Sequence, residues 1–110
     1  MRLPNAESAV VDIAKLRDYC LNVGHPRGRH KARLFTATLG ITAENADELR
    51  ELFLLGIGEQ DATPGASDAY GERYSIDMPV ARQGRKAIVR TAWIVKRGEN
   101  FPRLTSCFIL

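Results

Sequence analysis

Apolar residues recur with two different periods in the two halves of this 110-residue chain. In the first half they lie three or four residues apart, which is typical of helices that bury one face. From residue 73 onward they alternate with polar residues, which is typical of strands. The apolar stripes predict three helices, around Ile13–Cys20, Ala32–Leu39 and Ala46–Phe53, and the alternation predicts strands over 73–79, 86–96 and 103–109. This order predicts one α+β domain over residues 1–110. About three N-terminal helices should pack on one face of a small antiparallel sheet formed by the C-terminal half.

Residues with strong local preferences mark the ends of these helices. Asp12 is expected to cap the first helix and Thr42 the third, because short oxygen-bearing side chains accept the free N–H groups of a first turn. Gly40 is expected to end the second helix, since glycine adopts the left-handed conformation without strain. The polar stretch 59–68 has no period. It is interpreted as a loop, either a plain linker or a flap over a site.

The alternation also assigns residues to the two faces of the predicted sheet. Trp93, Leu104 and Phe108 are expected to face the helices, together with Tyr74 and Val89. The opposite, open face is predicted to carry Arg90, Arg103 and Thr105. Side chains on adjacent strands come within about 5–8 Å of one another, so these three could form a binding surface. The alternative is an ordinary solvated face of a one-sided sheet.

Charge is unevenly distributed although the net charge is only +3. Residues 1–42 carry +4, residues 43–72 carry −7 and residues 73–110 carry +6. Two basic blocks therefore flank an acidic one, and a basic face that attracts phosphate or an acidic protein is possible. No apolar run has the length of about 20 residues that a membrane span needs. Cys20 and Cys107 are far apart and outside any metal-ligand spacing, so buried reduced thiols and a cytoplasmic protein are expected.

The densest basic segment lies at the predicted start of the second helix. Residues 22–35 contain both histidines of the chain and four of its Lys and Arg residues. Arg29, His30 and Lys31 would stand near the partly positive end of that helix, which is unfavourable unless an anion binds there. His30 falls off the apolar stripe and should face away from the core. The segment indicates an anion-binding site, with a solvated basic turn as the alternative.

The side chains of the two basic blocks favour metal-free cleavage of RNA. No phosphate loop, carboxylate pair or metal-ligand cluster is present, so neither metal nor cofactor is expected. Imidazole titrates near neutral pH and can take the proton of a ribose 2′-OH, while Lys and Arg stabilise the charge on the phosphate. His30 is the predicted base, with Lys31, Arg103 and Thr105 at the phosphate, and His25 is a second-ranked acid. Contacts to the RNA backbone are predicted for Arg27, Arg29, Arg33 and Arg90.

Three segments also carry a resemblance to a known family. His25–Phe35, Trp93–Val95 and Pro102–Ser106 resemble a bacterial domain family of unknown function, found alone and at the C-termini of polymorphic toxins. The resemblance covers nearly the whole chain. That family is similar in turn to the barnase/colicin/RelE-like (BECR) ribonuclease toxins, which implies an RNase toxin. The matching positions imply catalytic roles for His30, Lys31, Arg103 and Thr105, and no residue corresponds to the glutamate base of some BECR members.

Two functions of different classes are consistent with these patterns. The first is a ribonuclease toxin that cleaves RNA and is neutralised by a small acidic antitoxin or immunity protein. The second is a non-catalytic binding module, or an antitoxin- or immunity-type partner of a toxin. Toxicity that is lost on replacing His30 would favour the first.

Overall fold

The structure, a computed structural model, describes residues 1–110 and has the predicted α+β architecture. Three helices come first, and four strands follow in the C-terminal half. The helices are α1 (Ile13–Lys15), which continues directly into a π-helical turn (Leu16–Cys20), α2 (Arg29–Leu39) and α3 (Ala46–Gly56). Short 3₁₀ turns span Ala6–Ser8 and Ala43–Asn45. The strands are β1 (Thr63–Ser67), β2 (Gly71–Arg82), β3 (Arg85–Lys96) and β4 (Pro102–Ile109).

The predicted helix ends are confirmed by their hydrogen bonds. The Asp12 carboxylate accepts the N–H of Ala14 at 2.9 Å and so caps α1. Gly40 has φ 66° and ends α2, because its left-handed conformation lets the N–H of the next residue, Ile41, reach the carbonyl of Phe35 in the last turn. Thr42 and Asn45 form a reciprocal capping box before α3. Each end is therefore set by one or two residues adjacent in the chain.

The sheet is antiparallel in the order β1-β2-β3-β4 and contains one strand that the sequence did not predict. The interpretation of residues 59–68 as a loop is wrong for Thr63–Ser67, which pair with β2 as an edge strand. All five of these residues are exposed. The strand is held by its backbone pairing with β2 and by one hydrogen bond from Arg97 to the Ser67 hydroxyl, and it has no apolar alternation that would reveal it.

The hydrophobic core lies between the helices and one face of the sheet. Phe35 of α2, Phe53 of α3 and Trp93 of β3 are the largest fully buried side chains, and all belong to one cluster. Trp93 donates its indole N–H to the Thr91 hydroxyl, which in turn donates to the carbonyl of Ile76. The predicted position of Trp93 on the helix-facing side is confirmed. Cys20 and Cys107 are free thiols buried in the same core, as expected.

A β-bulge in β4 changes which residues share a face. Ala92 pairs with Ser106, but the next residue, Trp93, pairs with Leu104, so Thr105 is an extra residue without a partner in β3. Strict alternation across this point gives the wrong face, because a bulge shifts side-chain direction by one residue. The prediction that Phe108 faces the helices is wrong: it pairs with Arg90 on the open face. Cys107 pairs with Thr91, is 1% exposed and lies in the core.

Candidate functional site

Cationic side chains predominate on the open face of the sheet. Residues of β2–β4 that alternate with the buried core positions, and pair with one another across the strands, share this face. Five of them are cations: Arg73, Lys86, Arg90, Lys96 and Arg103. Asp77 is the single carboxylate among the open-face positions of these three strands. The open-face positions of Arg90 and Arg103 predicted from the sequence are thereby confirmed. A surface with this balance attracts anions.

A cleft of about 260 Å³ lies on this face beside the bulge of β4. The N-terminal arm forms one wall, because Val10 pairs alongside Arg103 through hydrogen bonds to Pro102 and Leu104. The cleft is lined by Val10, Asp12, Lys15, Ile94, Lys96, Arg103, Leu104 and Thr105. We call it the bulge cleft. It joins two of the four predicted catalytic residues, Arg103 and Thr105, and does not include His30 or Lys31.

The polar groups of the bulge cleft differ in the number of hydrogen bonds and salt bridges that they already form. Arg103 makes two hydrogen bonds of 2.9 Å to Glu99, which lower the pKa of Glu99 and raise that of Arg103. The hydroxyl of the bulge residue Thr105 donates to the carbonyl of Ala92 at 3.1 Å, so its oxygen remains an acceptor. Lys15 and Lys96 form no salt bridge. The cleft thus offers two unpaired ammonium groups, one shared guanidinium and one hydroxyl to an anion.

The loop before α2 is held in place by His25. Its Nδ1 accepts the backbone N–H groups of Arg27 and Gly28, each at 3.1 Å, and its ring meets that of Tyr19 edge-on at 4.8 Å. A Cβ at Gly28 would lie 3.0 Å from the carbonyl oxygen of Tyr19, so only glycine fits without displacing the backbone there. These contacts give His25 a structural role at the start of α2.

The cations that follow this loop have no carboxylate partners. Arg27, Arg29 and Arg33 are exposed and form neither a salt bridge nor a side-chain hydrogen bond, and the same holds for the exposed imidazole of His30. Lys31 also lacks a salt bridge, and its Nζ lies 4.5 Å from the centre of the Phe108 ring. We call Arg27, Arg29, Lys31 and Arg33 the α2 cluster. It stands beside the C-terminal end of β4.

The two groups of predicted catalytic residues therefore lie near opposite ends of β4. Lys31 contacts Phe108, whereas Arg103 contacts Glu99 and the Phe101 ring. Phe108 and Arg103 pair with Arg90 and Ile94, which are four residues apart on β3, so at ~3.3 Å per residue they are separated by roughly 13 Å along the strand. With Lys31 held at Phe108 and Arg103 held at Glu99, a single phosphate group does not reach both side chains.

Arg90, predicted to bind the RNA backbone, is paired across strands with Asp77. The two hydrogen bonds measure 2.7 and 2.9 Å, and they lower the pKa of Asp77 and raise that of Arg90. Both side chains are 44% exposed. They line a second, wholly polar cleft of about 430 Å³ together with Gln60, Asp61, Thr63 and Ser75.

Sequence reasoning missed three residues of the bulge cleft. Asp12 was recognised as a helix cap, but nothing near it in the chain indicates that the arm pairs with β4. Lys15 and Lys96 carry only the weak signal of belonging to the basic blocks. No group of three or more His, Cys, Asp and Glu side chains is arranged to hold a metal ion. The longest helices have 11 residues, and none combines the length and apolar character needed to cross a bilayer.

The fold and these clefts define a small α+β domain with a cationic sheet face. The chain belongs to the family described as a domain of unknown function (DUF6883), which it matches over residues 2–110. This confirms the expectation of a family of unknown function that covers nearly the whole chain. No curated protein and no solved structure matches the chain.

Proposed function

We propose that this protein is a metal-independent ribonuclease toxin that cleaves RNA through attack of the 2′-OH. The observation that carries the proposal is the bulge cleft. There Arg103 and Thr105, two of the predicted catalytic residues, meet Lys15, Lys96 and the Asp12 carboxylate. A metal-free ribonuclease needs cations at the phosphate and a base at the 2′-OH, and the lining of the cleft supplies both types of group.

In the proposed reaction, the 2′-oxygen attacks the neighbouring phosphorus as a base removes its proton. The bond from phosphorus to the 5′-oxygen breaks, and that oxygen takes up a proton as it leaves. The products are a 2′,3′-cyclic phosphate and a 5′-hydroxyl. Arg103, Lys15 and Lys96 stabilise the charge that builds on the non-bridging oxygens. Thr105 orients the phosphate.

Two groups compete for the role of base. Asp12 lines the bulge cleft, and only one of its oxygens has a hydrogen bond, from Ala14. His30, the base predicted from the sequence, is exposed near the other end of β4 and serves a phosphate bound beside Lys31. Asp12 is better placed for a phosphate held by Arg103 and Thr105.

The test is cleavage of a defined single-stranded RNA by the purified protein in the presence of a chelator. The expected products end in a 2′,3′-cyclic phosphate. Asp12→Asn separates the role of base from the role of helix cap, because Asn caps a helix as well as Asp but cannot act as the base. His30→Gln tests the other candidate, and the variant with the larger fall in kcat identifies the base. Products with a 5′-phosphate, or activity abolished by the chelator, would reject the mechanism.

A non-catalytic binding module is the second candidate. It is favoured by the occupation of Arg90 and Arg103 by their own carboxylates, which leaves the α2 cluster as the main free cationic group. RNA that is bound in a salt-dependent way but recovered intact would support this candidate. In either case a small acidic antitoxin or immunity protein is the proposed protein partner, with the α2 cluster as its contact. Growth arrest on expression, lost in the Asp12 or His30 variant, would favour the toxin.

A further inference from the structure

The open face of the sheet has a floor of small side chains. Cross-strand register places Ser75, Ala92 and Ser106 in one row across β2, β3 and β4. The row on one side is Arg73, Ile94 and Arg103, and the row on the other side is Asp77, Arg90 and Phe108. Rows on one face are about 7 Å apart, because they are two residues apart along each strand. Small residues between two rows of large ones form a groove, which we call the sheet groove.

The two walls of the sheet groove carry the chemistry of a nucleic-acid surface. Guanidinium groups stand on both sides of the floor, and the hydroxyls of Ser75 and Ser106 lie within it. At its β4 end the groove opens, beside Arg103, into the bulge cleft, which adds Lys15 and Lys96. The three arginines of the walls are each paired with a carboxylate, Arg73 with Asp68, Arg90 with Asp77 and Arg103 with Glu99. The free positive charge beside the groove therefore comes from Lys15, Lys31 and Lys96, and it is complementary to a phosphate backbone.

Phe108 gives the sheet groove an aromatic surface at the same β4 end, in the wall opposite Arg103. Its ring is half-buried on the open face, next to Arg90 across the strands and with the Lys31 ammonium 4.5 Å from its centre. The cation–π contact with Lys31 stabilises the ring only modestly and still leaves it half exposed. Stacking of a base on an aromatic ring contributes about 1–3 kcal/mol, and such stacking requires a base that is not paired within a duplex.

We propose that a single-stranded RNA segment crosses the sheet groove along β4, with a phosphate in the bulge cleft and a base stacked on Phe108. The inference rests on the proposed function for the choice of RNA as the ligand. The distance of roughly 13 Å along β4 between Arg103 and Phe108, from one wall of the groove to the other, sets the length of the contact at a few nucleotides. A duplex does not present its base faces to Phe108, so single strands bind more tightly.

The experiment measures binding of a fluorescent ten-nucleotide RNA whose 2′-hydroxyls are all methylated, so that it cannot be cleaved by 2′-OH attack. Affinity is read from anisotropy at low salt, for the single strand and for the same sequence in a duplex. The main variant is Phe108→Leu, which keeps an apolar side chain of similar size and removes the ring. Phe108→Trp is the rescue variant. Tyr70→Ala is the matched control, because Tyr70 is an exposed aromatic residue in the β1–β2 turn, outside the groove.

The expected result is a loss of about tenfold in affinity for Phe108→Leu, near-normal binding for Phe108→Trp, and a change under twofold for Tyr70→Ala. The single strand should bind more tightly than the duplex. Equal binding by Phe108→Leu and the wild type, tighter binding of the duplex, or no binding by the wild type would overturn the inference. Binding that depends on Phe108 together with intact natural RNA would reject only the ribonuclease proposal. Cleavage of natural RNA with no effect of Phe108→Leu on binding would reject only the groove.

Discussion

The arginines of the sheet and those of α2 carry the same charge but have different neighbours. Five arginines at the ends and on the open face of the sheet have a carboxylate within 4 Å, and Arg85 is the exception: Arg73 has Asp68, Arg82 has Glu48, Arg90 has Asp77, Arg97 has Glu72 and Arg103 has Glu99. None of the four cations of the α2 cluster has one. The α2 cluster also stands at the helix end where positive charge is least favourable. Cations kept unpaired at such a place indicate binding, whereas paired arginines can be explained by the sheet itself.

Arg103 is expected to be the exception to this comparison. It is paired with Glu99, like the other paired arginines of the sheet, but it also lines the bulge cleft in which cleavage is proposed. Arg103→Gln should lower kcat for RNA cleavage by about a hundredfold, as loss of one donor to a developing negative charge does in other enzymes. Arg97→Gln is the matched control, since Arg97 is paired with Glu72 outside the cleft, and its kcat should change less than about twofold. Equal effects of the two changes would place the chemistry elsewhere.

The α2 cluster should account for much of the salt dependence of RNA binding. Replacing both Arg29 and Arg33 by Ala should weaken binding roughly tenfold and reduce the salt slope by about 1.4, because each lost contact to a single strand removes about 0.7. Arg2→Ala with Arg17→Ala removes the same charge from arginines that face Asp61 and Asp18. That control should leave the slope unchanged. A titration at several salt concentrations decides between the two outcomes.

A single charge reversal should separate stability from binding. Arg29 is the first residue of α2, so Arg29→Glu puts a carboxylate at the positive helix end and should stabilise the fold by about 0.5 kcal/mol. The melting temperature should rise by about 2 °C while RNA affinity falls. A melting temperature that falls instead would show that the free cation has a structural role, and the comparison between the two regions would lose its basis.

The smallest effect is expected on fold stability when the pH is lowered. Hydrogen bonds from Arg90 to Asp77 and from Arg82 to Glu48 lower the pKa of both carboxyls, so these pairs stabilise the fold fully only above the ordinary values of about 3.9 and 4.3. Stability should be constant above about pH 5 and fall as pH drops further through the lowered folded-state values. Asp77→Asn should show a shallower loss in thermal melts between pH 5 and pH 2. The α2 cluster, which has no carboxyl to protonate, should contribute nothing to that loss.

Much of the fold could be predicted because its signals are local. The helix ends at Asp12, Gly40 and Thr42 depend on one residue and its next turn, and all three are confirmed. β1 could not be predicted, because five exposed residues held by backbone bonds leave no apolar pattern. The open-face position of Phe108 was predicted wrongly, since a bulge is a matter of register between two strands. The catalytic roles of His30, Lys31, Arg103 and Thr105 stay predictions.

The sequence by itself determined the three helices, the strands β2–β4 that follow them and most of the residues that fill the core, because these follow from a hydrophobic period read over a few turns. Only the tertiary structure decided which charged groups meet. Val10 pairs beside Arg103 although the two residues are near opposite ends of the chain, and this contact brings Asp12 and Lys15 to the bulge cleft. Tertiary structure also pairs Arg90 with Asp77 across two strands and leaves the α2 cluster without a carboxylate. Contacts between distant residues depend on how whole elements pack, and no local pattern encodes them.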